Sequence, residues 1–190
     1  MEQFFDNIRQ LDAKTFFALN SFASHNEVWR LFFHWMADYG IVLIIIGLIY
    51  LVVRGRINAL FAAVLSAIFS TFISFILYLL WQRPRPFVTY AESVTRLAGY
   101  TTVNSFPSAH TYLSFAIATT VVLYGHKKLG ILMYIIACLI GISRIAAGLH
   151  YPSDVLGGIV VGVFSGTLAY WFMEHFENFW DETGVKEKKL

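Results

Sequence analysis

Long runs of apolar residues recur along the chain at the length needed to cross a lipid bilayer. The hydrocarbon core of a bilayer is about 30 Å thick, which requires about 20 apolar residues in an α-helix. Four stretches meet or approach this length: residues 29–53, 58–82, 129–148 and 154–173. A fifth stretch, residues 107–125, is shorter and rich in threonine and serine. The pattern predicts an all-α, polytopic transmembrane helix bundle of five to six spans.

The N-terminal segment has a different pattern. Residues 1–24 place apolar side chains at roughly helical spacing, but they carry too many charges to cross a membrane. This spacing predicts an interfacial helix over residues 1–24. The transmembrane domain is then expected to cover residues 25–176, and residues 177–190 are expected to form a polar cytoplasmic tail.

The composition supports one compact membrane domain. Hydrophobic residues make up 57% of the 190 positions, charged residues only 14%, and the mean hydropathy is +0.61. A net charge of +2, with basic residues scattered between apolar runs, argues against a nucleic-acid partner. The lipid bilayer is the partner that this composition predicts.

Short basic loops indicate the orientation. The fourteen Lys and Arg residues divide equally between the two sides, but three on one side belong to a candidate site. The basic clusters Arg54–Arg56 and His126–Lys128 lie in short loops, which are the type that sets topology. We therefore expect these loops and the C-terminus in the cytoplasm, so that residues 83–106 and 144–153 face outward together.

Three glycines recur at four-residue spacing in the last span, at positions 158, 162 and 166. Such a stripe lets a neighbouring helix approach closely. Packing within one chain is the favoured interpretation, and a homodimer through the same stripe is the alternative.

Charged and polar residues concentrate at the predicted outer ends of the spans. They form three groups: Arg83-Pro84-Arg85-Pro86, Ser105 to His110, and Ser143-Arg144 with His150 and Asp154. Charged groups at membrane depth are costly, so they usually pair or serve function. Forked arginine donors at Arg85 and Arg144 match the geometry of a phosphate. Together, the groups indicate an anion site.

The second group predicts a helix start that faces the anion. Pro107 and Ser108 are expected in its first turn, with Ser105 as a cap, so that free backbone N–H groups point at a phosphate. Ser108 could add a hydroxyl donor. His110 could protonate a leaving group, while His150 could act as a nucleophile whose ring is oriented by Asp154.

These motifs resemble the type 2 phosphatidic acid phosphatase superfamily, whose signature is Lys-x6-Arg-Pro, Pro-Ser-Gly-His and Ser-Arg-x5-His-x3-Asp. The third motif is complete, and the second is present with Ala109 for glycine. The first retains Arg85-Pro86, but Tyr78 occupies the lysine position, and Arg83 is the candidate to compensate as a phosphate ligand. The resemblance covers roughly residues 70–165.

The resemblance implies a lipid phosphatase with a phosphohistidine intermediate at His150 and leaving-group protonation by His110. It also implies phosphate binding by Arg85, Ser108 and Arg144, and no required cofactor or metal. Chain length and the RPRPF and FPSAH segments look most like bacterial undecaprenyl pyrophosphate phosphatases of the bacitracin-resistance type, which recycle the lipid carrier of peptidoglycan synthesis outside the cytoplasmic membrane.

Several alternatives stay open from the sequence. The substrate could be another lipid phosphate, such as phosphatidylglycerol phosphate, phosphatidate or lipid A phosphate, or the phosphohistidine could pass its phosphate to a lipid or sugar hydroxyl. A transporter is disfavoured because the polar residues cluster at one end of the spans. A zinc site at His110, His150 and Asp154 is disfavoured because two arginines would repel a dication. Asp38, within the first span, has no assigned role.

Overall fold

The computed structural model describes residues 2–99 and 102–182, which fold into helices joined by short loops. The helices are α1 (Glu2–His25), α2 (Glu27–Val53), α3 (Ile57–Leu80), α4 (Pro86–Thr89), α5 (Ala109–Leu123), α6 (Lys127–Ala146) and α7 (Pro152–Glu182). Within the described ranges the only β pairing is an isolated antiparallel bridge between Pro84 and Asn104. The predicted all-α class is confirmed.

Four helices are long and apolar enough to cross a membrane among the residues described: α2, α3, α6 and α7 up to Phe176. Helix α5 is apolar but shorter. These five helices correspond to the five predicted stretches, and their bounds differ from the prediction by at most two residues, except at the end of α7. Helix α7 runs to Glu182, past the predicted start of the tail at residue 177, and residues 183–190 lie outside the described part of the chain.

Helix α5 is the centre of the bundle and packs against α3, α6 and α7. Its 15 residues span only about 22 Å, but its neighbours cover it on most sides. Its hydroxyl groups donate hydrogen bonds to carbonyls one turn earlier, as in Ser114 to His110 O (2.7 Å) and Thr120 to Ala116 O (2.9 Å). The polar composition of this span therefore reflects burial inside protein, where each of these hydroxyls has a partner.

The glycine stripe of α7 faces α5. A Cβ added at Gly162 would lie 2.6 Å from the backbone oxygen of Tyr112, and one at Gly166 would lie 2.6 Å from that of Ala116. A Cβ at Gly158 would lie 3.0 Å from the backbone oxygen of Ser108. The stripe is thus filled within the chain, in line with the favoured interpretation, and a homodimer would have to use another surface.

Substituting Gly162 should separate the two helices that carry the site. In Gly162→Ala the new methyl group meets backbone atoms of α5, which cannot rotate away, so we expect a loss of about 1–3 kcal/mol of stability. The measurement is thermal unfolding of the purified protein in detergent. Gly99→Ala is the matched control because a Cβ there meets nothing within 4 Å. Equal melting temperatures for both variants would contradict this packing.

Helix α1 lies against the same end of the bundle as the candidate site and packs on α2, α6 and α7. Phe16 is fully buried and contacts Tyr151, with ring centroids 5.7 Å apart. The Asn20 amide donates to Thr95 O (2.8 Å) and Ala146 O (2.9 Å), which ties α1 to the long loop and to the end of α6. The helix predicted for residues 1–24 is present, and its interfacial location stays a prediction.

Candidate active site

The site forms where the ends of α3, α5, α6 and α7 meet. Residues 83–85 and 103–105 run antiparallel there: Arg85 N–H donates to Val103 O (3.0 Å) and Ser105 N–H donates to Arg83 O (2.8 Å). The predicted cap at Ser105 is therefore wrong, because its hydroxyl donates to Arg83 O at 3.2 Å. Helix α5 begins at Ala109, with Ser108 in the N-cap position after a cis Phe106–Pro107 peptide bond.

The turn between α6 and α7 carries His150. Gly148 adopts a left-handed φ of +83°, which ends α6 and reverses the chain. The N–H groups of Leu149 and His150 then both donate to Arg144 O, at 3.1 and 3.3 Å. Helix α7 begins at Pro152, as the sequence predicts. This turn holds His150 directly beside Arg144.

The ring of His150 lies between an arginine and a carboxylate. Its Nε2 is 3.0 Å from Nη1 of Arg85, and its Nδ1 is 3.6 Å from Oδ2 of Asp154. Because a guanidinium can only donate, Nε2 must carry the lone pair and Nδ1 the proton. The neutral Nδ1–H tautomer therefore directs a nucleophilic nitrogen to the arginine side and its proton to Asp154.

Burial lowers the pKa of His150 from 6.5 to about 4. Asp154 opposes this shift, whereas Arg85 and Arg144 add to it by repelling a cationic ring. The lowered pKa means that the nucleophilic neutral form persists as pH falls through 6.5 and disappears only near pH 4.

An NMR titration of the ¹⁵N-histidine-labelled protein should show this directly. We expect the His150 signal, assigned by its loss in His150→Gln, to keep the chemical shifts of a neutral Nδ1–H ring at pH 6.5 and to titrate near pH 4. A midpoint near 6.5, or the opposite tautomer, would contradict the placement of Arg85 against Nε2.

Asp154 connects the helices around His150. Its Oδ2 accepts from Tyr151 N–H (2.8 Å), and its Oδ1 accepts from Nη1 of Arg83 (2.8 Å). Its backbone oxygen accepts from Ser108 N–H (3.1 Å). The start of α5 is thus fixed to the start of α7, which brings the second and third motifs together.

Two of the three arginines predicted to bind phosphate, Arg85 and Arg144, are buried. Arg85 donates to Leu149 O (3.0 Å) and to Thr102 Oγ1 (3.2 Å) in addition to its contact with His150. Arg144 is fully buried, donates to Ala37 O (2.9 Å) and lies 3.9 Å from Asp38 Oδ1. Asp38 therefore pairs with a site arginine, and its charge within an apolar span was the sequence signal for such a role.

Ser108 and His110 both lie at the start of α5. Ser108 is fully buried, and its Oγ accepts from Thr111 Oγ1 (3.0 Å), so its own O–H can donate elsewhere. His110 is in the first turn of α5, as predicted, and lies close enough to Arg144, His150 and Arg85 to interact with them electrostatically. The structure thus brings both histidines together with the two buried arginines, and Ser108 lies at the start of α5, two residues before His110.

Arg83 is placed differently from the other predicted phosphate ligands. Its guanidinium donates to the carboxylates of Asp12 and Asp154 and to the hydroxyl of Ser153. It also stacks over the Tyr151 ring, with Cζ 3.9 Å from the centroid. A direct phosphate contact, as the sequence suggested, would compete with two carboxylates. Sequence reasoning missed Asp12, which is one of several charges in a segment with no motif.

A cavity of about 790 Å³ lies between α3, α5 and the loop that joins them. Tyr78 of α3, Asn104 and Phe106 of the loop and Tyr112 of α5 line it, and it reaches the site at Arg85. Tyr78, at the position of the family lysine, therefore lines this cavity with a neutral hydroxyl. Within the described ranges no three His, Cys, Asp or Glu side chains cluster closely enough to hold a metal ion.

Comparisons with known proteins match the part of the chain that carries the candidate site. A family model described as the PAP2 superfamily matches residues 59–177, which include every predicted site residue. The chain is 32% identical over 165 residues to the bacitracin transport permease protein BcrC of Bacillus licheniformis, covering 85% of this chain and 80% of the relative. It is 32% identical over 175 residues to the undecaprenyl-diphosphatase BcrC of Bacillus subtilis, covering 90% and 89%.

A solved structure shares the fold. The crystal structure of Aquifex aeolicus LpxE superposes with a TM-score of 0.71 at 27% sequence identity, covering 84% of this chain and 94% of LpxE. The bundle that positions the site is therefore shared with LpxE.

Proposed function

We propose that this chain, which belongs to the PAP2 superfamily and is a membrane lipid phosphatase, cleaves undecaprenyl diphosphate to undecaprenyl phosphate and phosphate. The main observation in support of His150 as the nucleophile is that its ring lies between Arg85, at Nε2, and Asp154, at Nδ1. The similarity that supports the substrate is to a relative named for this activity, and it spans nine tenths of the chain.

The first chemical step transfers the terminal phosphoryl group to His150. Its Nε2 attacks the terminal phosphorus, a P–N bond forms, and the bond to the bridging oxygen breaks with its electron pair on that oxygen. His110 donates its proton to this oxygen, so that undecaprenyl phosphate leaves. Asp154 holds the Nδ1 proton of the ring, which bears positive charge in the phosphohistidine.

The second step releases phosphate. A water molecule attacks the phosphohistidine, His110 takes a proton from that water, and the P–N bond breaks to restore neutral His150. Arg85, Arg144 and the Ser108 hydroxyl hold the phosphoryl oxygens in both steps, with the N–H groups of the first turn of α5. Charge on those oxygens is the main quantity that a protein can stabilise in phosphoryl transfer.

The cavity between α3 and α5 supports access from the side. Its lining combines aromatic rings with hydroxyl and amide groups near Arg85, which suits a polar head group attached to an apolar chain. An isoprenoid tail gains nothing by leaving the hydrocarbon, so the lipid is proposed to slide in laterally. Tyr78 would then meet the lipid close to its head group.

The proposed location is the cytoplasmic membrane, with the site on the extracytoplasmic face and the C-terminus in the cytoplasm. Basic loops at Arg54–Arg56 and Lys127–Lys128 lie at the end of the bundle opposite the site, which supports this orientation. A site on the outer face would regenerate the lipid carrier of peptidoglycan synthesis where its diphosphate form is released.

The test is free phosphate release by the purified protein in EDTA, without any acceptor. Undecaprenyl diphosphate should be hydrolysed faster than phosphatidylglycerol phosphate, phosphatidate or lipid A phosphate. The rate of phosphate release should be the same with and without EDTA. Faster turnover of another lipid would reassign the substrate. Phosphate transfer only when an alcohol is added would indicate a phosphotransferase, and loss of activity in EDTA restored by a divalent cation would overturn the metal-independent mechanism.

A further inference from the structure

Helix α1 sends one buried carboxylate toward the site. The Asp12 side chain is only 5% exposed, although most of its helix neighbours face outward. Its Oδ1 accepts from Ser153 N–H (2.8 Å), and its Oδ2 accepts from Ser153 Oγ (2.6 Å). Burying a carboxylate is costly without such donors. The first turn of α7 therefore supplies two hydrogen-bond donors, both from Ser153, that hold the buried Asp12 carboxylate.

Arg83 joins this carboxylate to Asp154. Its Nη2 donates to Asp12 Oδ2 (2.5 Å), and its Nη1 donates to Asp154 Oδ1 (2.8 Å). The opposite oxygen of Asp154 is the one that faces Nδ1 of His150. Because Arg83 fixes Oδ1 of Asp154, it also fixes the orientation of Oδ2 toward the His150 ring.

We propose that Asp12 and Arg83 are positioning residues that act on His150 through Asp154. This inference deepens the proposed function and rests on His150 as the nucleophile. Arg83 alone would both orient Asp154 and neutralise its charge. Because Asp12 shares the same guanidinium, Asp154 keeps negative charge for the Nδ1 proton while its orientation stays fixed. The N-terminal helix, which lies outside the family match, therefore takes part in catalysis indirectly.

The first test compares Asp12→Asn with Asp6→Asn. The introduced amide can replace only one carboxylate oxygen, so Arg83 and Asp154 lose their fixed geometry, and small misplacements at a reacting group can lower rates about 10²-fold. We expect kcat of Asp12→Asn to fall about tenfold to a hundredfold, with KM within about threefold. Asp6 is exposed and paired only loosely with Arg9 at 3.8 Å, so its variant should match the parent.

A second measurement separates positioning from mere stabilisation. If Asp12→Asn does not fold, Arg83→Lys is the variant to test, since lysine keeps the charge but lacks the planar fork whose two nitrogens contact Asp12 and Asp154 separately. When both fold, the double variant should be no slower than Arg83→Lys, because each substitution breaks the same chain of contacts. Additive losses, a change confined to KM, or an unchanged kcat would overturn the proposal.

An NMR readout distinguishes failure of this inference from failure of the proposed function. The ¹⁵N signal of the His150 Nδ1–H should shift in Asp12→Asn and not in Asp6→Asn, whatever the substrate. If this signal shifts in Asp12→Asn but the parent protein has no lipid phosphatase activity, the positioning role of Asp12 stands and the proposed function is rejected. An unshifted signal would overturn the inference even if the parent is active.

Discussion

His150→Ala should abolish phosphate release, with kcat reduced by about 10⁴-fold or more, as when a covalent nucleophile is removed from other enzymes. The cause is local: no other side chain among the residues described has a nucleophilic nitrogen between Arg85 and Asp154. Steady-state phosphate release from undecaprenyl diphosphate is the measurement.

The control is His126→Ala. His126 lies at the N-terminus of α6, at the opposite end of the bundle, and its side chain makes no cap hydrogen bond. This variant should retain the parent rate and melting temperature. More than about a hundredth of the parent rate in folded His150→Ala would be inconsistent with a phosphohistidine route through this residue.

Arg85→Lys should cause the second-largest loss, with kcat reduced by about 10²–10³-fold. Lysine keeps the charge but has no planar fork. The Arg85 fork contacts Leu149 O, Thr102 and Nε2 of His150 together, so it fixes both the turn and the nucleophile while offering donors to the phosphate. The same phosphate-release assay measures the loss.

Arg96→Lys is the matched control in the same loop. Arg96 is exposed, donates to Ala98 O (3.1 Å) and lies over the Phe87 ring. Its conservative replacement should leave kcat unchanged. Equal losses in the two variants would mean that the loop tolerates no change and that Arg85 has no special role.

The sequence predicts most of the fold because lipid imposes a simple length and polarity rule. The five apolar stretches match α2, α3, α5, α6 and α7 within two residues at every bound except the end of α7, which runs on to Glu182. The short α5 departs from the usual length, and its burial by neighbouring helices explains both its length and its hydroxyl groups. Spacing also brings His150 near Asp154, with Nδ1 3.6 Å from Oδ2, since four residues bridge a turn and the first turn of a helix.

Contacts between residues far apart in the sequence cannot be predicted from local sequence patterns. The predicted cap at Ser105 failed because that residue pairs with Arg83, 22 positions earlier. Arg83 was predicted as a phosphate ligand, but its guanidinium donates to Asp12, which is 71 positions away in the sequence. No periodicity encodes such pairings, because they depend on how α1 lies against α7. Asp38 was different: a carboxylate in an apolar span signals a buried cation, and Arg144 is that cation.

The most direct test of the central claim is to trap the intermediate. The parent protein would be mixed with undecaprenyl diphosphate labelled in its terminal phosphate, quenched in alkali within one turnover and digested for peptide mapping. A phosphohistidine route through His150 predicts a base-stable, acid-labile phosphate on this residue that forms before free phosphate is released, and none in His150→Ala. Label on another residue, or phosphate release with no labelled protein at any quench time, would contradict it.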